Sequence, residues 1–371
     1  MTRDAESEAE RTRGSGAAHH AQRADGKPES LVLRRPDDWH LHLRDGAALR
    51  AVAPLTAARF ARAIVMPNLT LPVTTTALAV AYRERILDAL PRGTKFEPLM
   101  TLYLTDRTEP AEIERAKSSG IVLGCKLYPA WATTHSAAGV TDIKRIDAVL
   151  ARMSELDVVL QVHGEVTDEA VDIFDREVRF IETVLAGLVE RHAGLRVVLE
   201  HVTTRSGVQF VQQARAGVAA TITAHHLLLS RNALFAGGIR PHHYCLPILK
   251  SESDRQALIA AATSGNPRFF LGTDSAPHGR AAKEAACGCA GIFTAHAALE
   301  LYAEVFDAAG ALARLEGFAA DFGADFYGLP RNEEKIALLR DAWRVPHSLP
   351  FGHDELIPFR AGGQVAWRMA S

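Results

Sequence analysis

From Leu31 onward, short runs rich in β-branched and aromatic residues alternate with longer stretches whose apolar positions recur at helical spacing. The runs Trp39–Leu43, Ala63–Met66, Pro98–Tyr103, Val122–Leu127, Val158–Val162, Arg196–Leu199, Ala219–Thr223 and Arg268–Gly272 read as strands. Thr76–Leu90 and Asp175–Arg191 read as two of the helices between them. Strand followed by helix, repeated, predicts βα units that build a parallel sheet. Eight such strands predict an α/β fold of the (β/α)8 TIM-barrel type. An open doubly wound sheet would place a Gly-x-Gly-x-x-Gly turn after an early strand, and none is there.

Beyond Asp274 the pattern predicts helices at Thr294–Ala308 and Ala311–Asp321, then a proline-punctuated stretch to Ser371, all as capping structure. Residues 1–30 have no hydrophobic period and are expected to form a mobile tail, leaving one barrel domain over 31–371. His19-His20 falls in that tail and is read as solvated.

Composition narrows the function classes. With 47% apolar and 23% charged residues the chain can bury a sizeable core, which excludes disorder of the whole. Lys and Arg number 42 against 44 Asp and Glu, a net charge of −2, so neither nucleic acid nor an anionic membrane is an expected partner. Met1–Ser30 holds no apolar run of the kind a signal peptide or membrane span needs, and four cysteines do not make a disulfide framework. A cytoplasmic location with reduced thiols is the expectation. Cys287-Gly-Cys289 could suggest a metal, but a structural zinc site would need a further nearby Cys or His pair, and the doublet is not read as one.

The sharpest local signal is Trp39-His-Leu-His-Leu43, where a strand aims both imidazoles at one face and both leucines at the other. Lys126, His163, His201 and Asp274 stand at the C-terminal ends of four other predicted strands, where barrel enzymes place their catalytic groups. Each has a plainer reading: a strand-end histidine can cap a loop, Lys126 can pair with Asp274, and an Asp before Ser can cap a helix. Their joint placement favours a metal site at the C-terminal ends of the strands. Imidazoles with a carboxylate suit zinc, ahead of iron or manganese. An ammonium has no acceptor, so Lys126 can join such a site only as a neutral amine or a chemically converted one. Capture of carbon dioxide would make it a carbamate able to bridge two metals.

The motifs Arg35-Pro-Asp-Asp-Trp-His-Leu-His-Leu-Arg44, Met66-Pro-Asn68, Lys126-Leu-Tyr-Pro129, Val162-His-Gly-Glu165 and Gly272-Thr-Asp-Ser-Ala-Pro-His278 closely resemble those of the shorter, bacterial-type (class II) dihydroorotases of the amidohydrolase superfamily. The likeness runs from about Leu31 to the C-terminus. It implies two zinc ions per subunit, bridged by N6-carboxylated Lys126 and hydroxide. His40, His42, Lys126 and Asp274 would hold one ion, and Lys126, His163 and His201 the other. It also implies that Arg44, Asn68, Leu246, His278 and Ala290 bind substrate, that Pro129–Gly139 is a mobile lid carrying Thr133 and Thr134 to it, and that the enzyme is a homodimer. Arginine chemistry agrees, since a guanidinium fork matches a carboxylate through two parallel hydrogen bonds. The plainer alternatives are a surface ion pair for Arg44 and a turn for Asn68. The expected activity is reversible cyclisation of N-carbamoyl-L-aspartate to L-dihydroorotate in pyrimidine biosynthesis, with Asp274 as general base and acid. The rivals are a hydantoinase and a catalytically silent barrel that assembles with another enzyme. Two features depart from the family pattern: the long N-terminal tail, and the doublet His225-His226, read as satisfied loop residues outside the metal site.

Overall fold

The structure, a computed structural model, describes residues 29–370; the tail expected at 1–30 and His19-His20 lie, but for residues 29 and 30, outside the described residues. A first strand β1 (Ser30–Arg34) precedes eight parallel strands. These are β2 (Asp37–Leu41), β3 (Arg62–Val65), β4 (Glu97–Tyr103), β5 (Val122–Leu127), β6 (Val159–Val162), β7 (Val197–Leu199), β8 (Val218–Ile222) and β9 (Phe269–Leu271), paired in chain order with helices between them. All eight predicted strands are present, with bounds shifted by up to two residues at either end.

The sheet closes on itself between β9 and β2. Asp274 N–H donates to His40 O at 2.8 Å, and His42 N–H donates to Ser275 O at 3.0 Å. The Asp38 carboxylate fastens this seam, accepting from Thr273 N–H at 2.9 Å, Thr273 Oγ1 at 2.6 Å and His40 N–H at 3.2 Å. The seam therefore places His40, His42 and Asp274 side by side although they are far apart in the chain.

Side-chain alternation along each strand sorts two cores. Ala63, Val65, Leu102, Cys125, Leu127, Leu160, Val162, Leu199 and Leu271 pack outward against the helices. Trp39, Ile64, Leu99, Val159, Val198 and Phe270 fill the barrel interior, making a packed core rather than a pore. The helix Phe322–Tyr327 plugs its lower end, with Tyr327 stacked on Trp39 at a centroid distance of 4.8 Å.

Two expectations about the C-terminal part need correction. The first helix begins at Ala298, not Thr294, because Ala297, at φ −147° and ψ 21°, lies off the helical backbone, while the Thr294 and Ala295 N–H groups donate to Ser275 Oγ at 3.1 and 3.0 Å. Ala311–Asp321 is not one α-helix but a 3-10 turn, Leu312–Arg314, and a π-turn, Gly317–Asp321. The capping structure is also part strand: β10 (Lys335–Leu339) pairs antiparallel with β1, and Arg368–Met369 adds to its other side. Among the described residues no helix is long and apolar enough to cross a membrane.

Candidate active site

The alternation that buries Cys125 and Leu127 outward turns Lys126 inward, and the same rule on β6 turns His163 inward after Val162. On β2 and the two residues after it, Leu41 and Leu43 join the outer core while His40 and His42 face the barrel mouth. His201 and Asp274 reach the same place by a sharper device: both have positive φ, 41° and 44°, and Arg44 has 61°. Each such non-glycine residue costs roughly 1–2 kcal/mol, so the surrounding packing must impose the conformation.

The result is a contiguous cluster. Ring centroids of His40 and His42 lie 5.5 Å apart, those of His40 and His201 5.0 Å, and those of His163 and His201 4.9 Å. Asp274 Oδ1 is 3.1 Å from His42 Nε2 and 3.4 Å from His40 Nε2. Ligand atoms of His40, His42 and Asp274 all fall within 4.8 Å of one another, close enough to converge on one cation. Every predicted ligand, Lys126 included, is buried.

Two carboxylates that the sequence reading left without roles set the imidazoles. Glu200 Oε2 is 2.7 Å from His40 Nδ1 and also accepts from Thr221 Oγ1 at 2.6 Å. Glu165 Oε2 is 2.9 Å from His163 Nε2. Each holds one ring nitrogen by hydrogen bonding and leaves the other for the site, the arrangement that orients metal-ligating histidines. Glu165 lies in the quoted Val162–Glu165 motif and Glu200 directly precedes His201, so adjacency was the available signal.

The electrostatics suit a cation. Burial first, then the Lys126 charge, lowers the His40 pKa; burial pushes His42 and His201 well below their ordinary value, helped by Arg44 at His42 and by Lys126 at both. Neutral imidazole is the ligating form. Burial raises the Asp274 carboxyl, opposed by His40 and Lys126. Lys126 is fully buried and its Nζ has no hydrogen-bond partner among the described residues, while burial brings its pKa down to about 8. A buried amine without a hydrogen-bond acceptor is costly as an ammonium, and conversion to an anion that ligates metal would remove the mismatch. The residues present therefore fit a metal centre.

A small cavity of about 20 Å³, the space of about one water, remains above the cluster. Besides the histidines and Asp274 it is lined by Arg44, Asn68, Thr133, Thr134, Leu246 and Ala290. All the predicted substrate residues but His278 thus share one cavity with the cluster. His278 stands directly beside Arg44: its Nε2 is 2.8 Å from Arg44 Nη2 and 3.0 Å from the Ala290 carbonyl oxygen, so that nitrogen can accept from the first or donate to the second. Burial, then the Arg44 charge, holds its pKa down to about 2, so the ring is neutral. Arg44 Nε donates to Pro277 O at 2.9 Å. Asn68 Nδ2 donates to the Thr134 carbonyl at 3.1 Å, tying the 129–139 segment over the pocket, and leaves Asn68 Oδ1 free of partners among the described residues. Outside this closure lies a larger cavity of about 490 Å³ that shares Arg44 and Asn68. The loop bearing Ala290 can press this close because Gly291, at φ 151°, has no side chain; a Cβ there would lie 2.7 Å from Ala276 O.

The doublet His225-His226 lies outside the cluster of His40, His42, His163, His201 and Asp274, in a short buried helix, Ala224–Leu228, not in a loop. His226 is hydrogen-bonded, but neither ring nitrogen of His225 has a partner among the described residues, which corrects the reading of both as satisfied. Cys287 is exposed and Cys289 half-buried, and all four cysteines are free.

Residues 37–347 match the amidohydrolase family. The chain is 65% identical over 340 residues to a dihydroorotase of Methylobacillus flagellatus, covering 92% of this chain and 99% of that one. Its fold superposes on the crystal structure of dihydroorotase from Campylobacter jejuni with a TM-score of 0.85 at 34% identity, over 92% of this chain and 98% of that one. It superposes equally well, with a TM-score of 0.85 at 33% identity and the same coverage, on the dihydroorotase of Saccharomyces cerevisiae in complex with 5-fluoroorotic acid.

Proposed function

This chain belongs to the amidohydrolase family and, within it, to the dihydroorotases, and we propose that it catalyses the reversible cyclisation of N-carbamoyl-L-aspartate to L-dihydroorotate and water in de novo UMP synthesis. The observation that carries this reading is the shared cavity: a half-buried guanidinium, Arg44, borders the same space as the His and Asp cluster. An arginine fork there selects a ring bearing a carboxylate, and a neutral hydantoin would leave its charge unpaired.

Two zinc ions per chain are the proposed cofactors, with His40, His42 and Asp274 holding one, His163 and His201 the other, and Lys126, carboxylated on Nζ, shared by both. When bound, such a pair would supply acidified water and polarisation of the ring carbonyl. Neutral Lys126 amine plus carbon dioxide gives the carbamate and releases one proton, a step that its lowered pKa favours. Asp274 is the proposed general base and acid. It takes a proton from the attacking water as the C–O bond forms at the ring carbonyl, then delivers it to the ring nitrogen as the C–N bond breaks. Cyclisation runs the same path in reverse. The position of Asp274 supports this role, because its carboxylate borders the same cavity as the histidine cluster and Arg44.

Arg44, Asn68 and His278 would bind the substrate carboxylate, with backbone at Leu246 and Ala290. Thr133 and Thr134 would reach substrate from the 129–139 lid, which must lift to admit a ring larger than the residual cavity. A homodimer in the cytoplasm completes the proposal, with neither nucleic acid nor membrane as partner.

The test is an assay of purified protein with L-dihydroorotate and with hydantoin, before chelation, after it, and after zinc return. Opening of dihydroorotate alone, lost on chelation and restored by zinc, is the expected result. Opening of hydantoin instead would overturn the substrate assignment, and no opening of either ring would move the protein to the silent barrels.

A further inference from the structure

A second group of soft ligands lies outside the catalytic cluster. His225 and His226 come from the helix Ala224–Leu228 that follows β8, and Cys245 comes from the loop leading to Leu246; all three are buried, and their ligand atoms lie within 4.8 Å of one another. Cys245 Sγ is 3.7 Å from His226 Nε2, Sγ is 3.3 Å from the Pro247 carbonyl oxygen, and that oxygen is 3.0 Å from His226 Nε2. Tetrahedral zinc, with bonds of about 2.0–2.3 Å to nitrogen, oxygen and sulfur, sets its ligand atoms about 3.3–3.6 Å apart. The three measured edges bracket that range.

The independent observation is His225. It is wholly buried, yet neither Nδ1 nor Nε2 has a hydrogen-bond partner among the described residues. Buried polar atoms of this kind call for a bound group. His226 can supply the lone pair as well. Its Nδ1 is 2.7 Å from Thr223 Oγ1, so a proton on Nδ1 can be donated there, and Nε2 is then free to ligate toward Cys245.

We propose that His225, His226 and Cys245, with the Pro247 carbonyl oxygen, form a buried site for one thiophilic divalent cation of the zinc class. Two imidazoles and a thiolate select such a cation over magnesium or calcium, which prefer oxygen. Binding exchanges the Cys245 thiol proton, released to solvent, for a metal–sulfur bond. The site clamps the loop before Leu246 onto the helix after β8. That loop is also bound to the Ala290 segment, since Lys283 Nζ donates at 2.8 Å to each of the Tyr244, Cys289 and Gly291 carbonyls. The cation thereby holds Leu246 and Ala290 at the wall of the catalytic cavity.

The full chain, produced in cobalt-supplemented medium so that metal can enter during folding, gives a direct readout. The catalytic cluster offers only nitrogen and oxygen ligands, so a thiolate-to-cobalt charge-transfer band must come from a cysteine. Wild type is expected to show the band and to carry one more ion per chain than Cys245→Ser, which lacks it. The double variant Cys287→Ser/Cys289→Ser should keep it. His225→Gln, which guards against misfolding of the cysteine variant, should lose most of the band. Absence of the band in wild type, its survival in Cys245→Ser or undiminished in His225→Gln, or its loss with Cys287 and Cys289 would each overturn the proposal. An ordered water beside His225 would give the first of these results.

Discussion

If Glu200 orients His40 for a metal, its removal should show first in metal retention. Glu200 Oε2 accepts from both His40 Nδ1 and Thr221 Oγ1, at 2.7 and 2.6 Å. Glu200→Gln can keep both bonds by placing its amide oxygen at the same point, so the loss there is the charge. A hydrogen bond to a charged group contributes about 1.5–3 kcal/mol and a neutral one about 0.5–1.5, a difference of about 1–1.5 kcal/mol. At about 1.4 kcal/mol per factor of ten, Glu200→Gln should weaken the affinity for one ion about tenfold. Glu200→Ala loses the whole interaction and should weaken it by roughly ten- to a hundredfold. The assay is competition of the zinc-loaded protein against a graded series of chelators, with metal counted per chain and the thermal midpoint followed alongside. Wild-type retention in Glu200→Ala, with an unchanged fold, would refute the argument that this carboxylate sets the ligating nitrogen of His40.

Asp274→Asn should lower kcat by roughly 10²–10⁴ with the fold intact, since asparagine tolerates the positive φ at this position; near-normal turnover with full metal would remove Asp274 from the proton path. Arg44→Gln should cut kcat/KM for dihydroorotate at least about tenfold, mainly through KM, because a hydrogen bond to a charged group contributes about 1.5–3 kcal/mol. Steady-state kinetics that show only a kcat loss would place Arg44 elsewhere in the reaction. Stability should carry a pH dependence from His296, whose pKa is lowered by burial from 6.5 to about 3. Between those values the unfolded chain binds the proton and the folded chain does not, so stability is lost as pH falls from 6.5 toward 3, by at most about 1.4 kcal/mol per pH unit. Denaturant titrations across that window should show a flatter slope for His296→Phe, and an unchanged slope would mean that His296 does not titrate with unfolding.

The barrel was legible along the chain because strands of a parallel sheet are buried on both faces and so read as compact apolar runs separated by helical periods. Lys126, His163, His201 and Asp274 were legible for the complementary reason: a strongly polar residue ending such a run cannot be core. The alternation of His40 and His42 with Leu41 and Leu43 carried its own geometry, since a strand has only two faces. These are local properties, readable within a few residues.

What required the folded chain is everything that joins distant segments. Asp38 reads as one of two adjacent acids, and only closure between β2 and β9 sets it against Thr273. Glu200 gains its meaning from His40, 160 residues away. The pairing of β1 with β10 spans most of the chain, and neither strand has a local signal that names its partner. The strained backbone at His201 and Asp274, and the Lys126 amine and His225 ring nitrogens left without hydrogen bonds among the described residues, arise from packing by several elements at once. Sequence by itself determined which residues face inward, because alternation and hydrophobicity act locally; tertiary structure decided which of them meet, because contact distance and burial exist only once the barrel is closed.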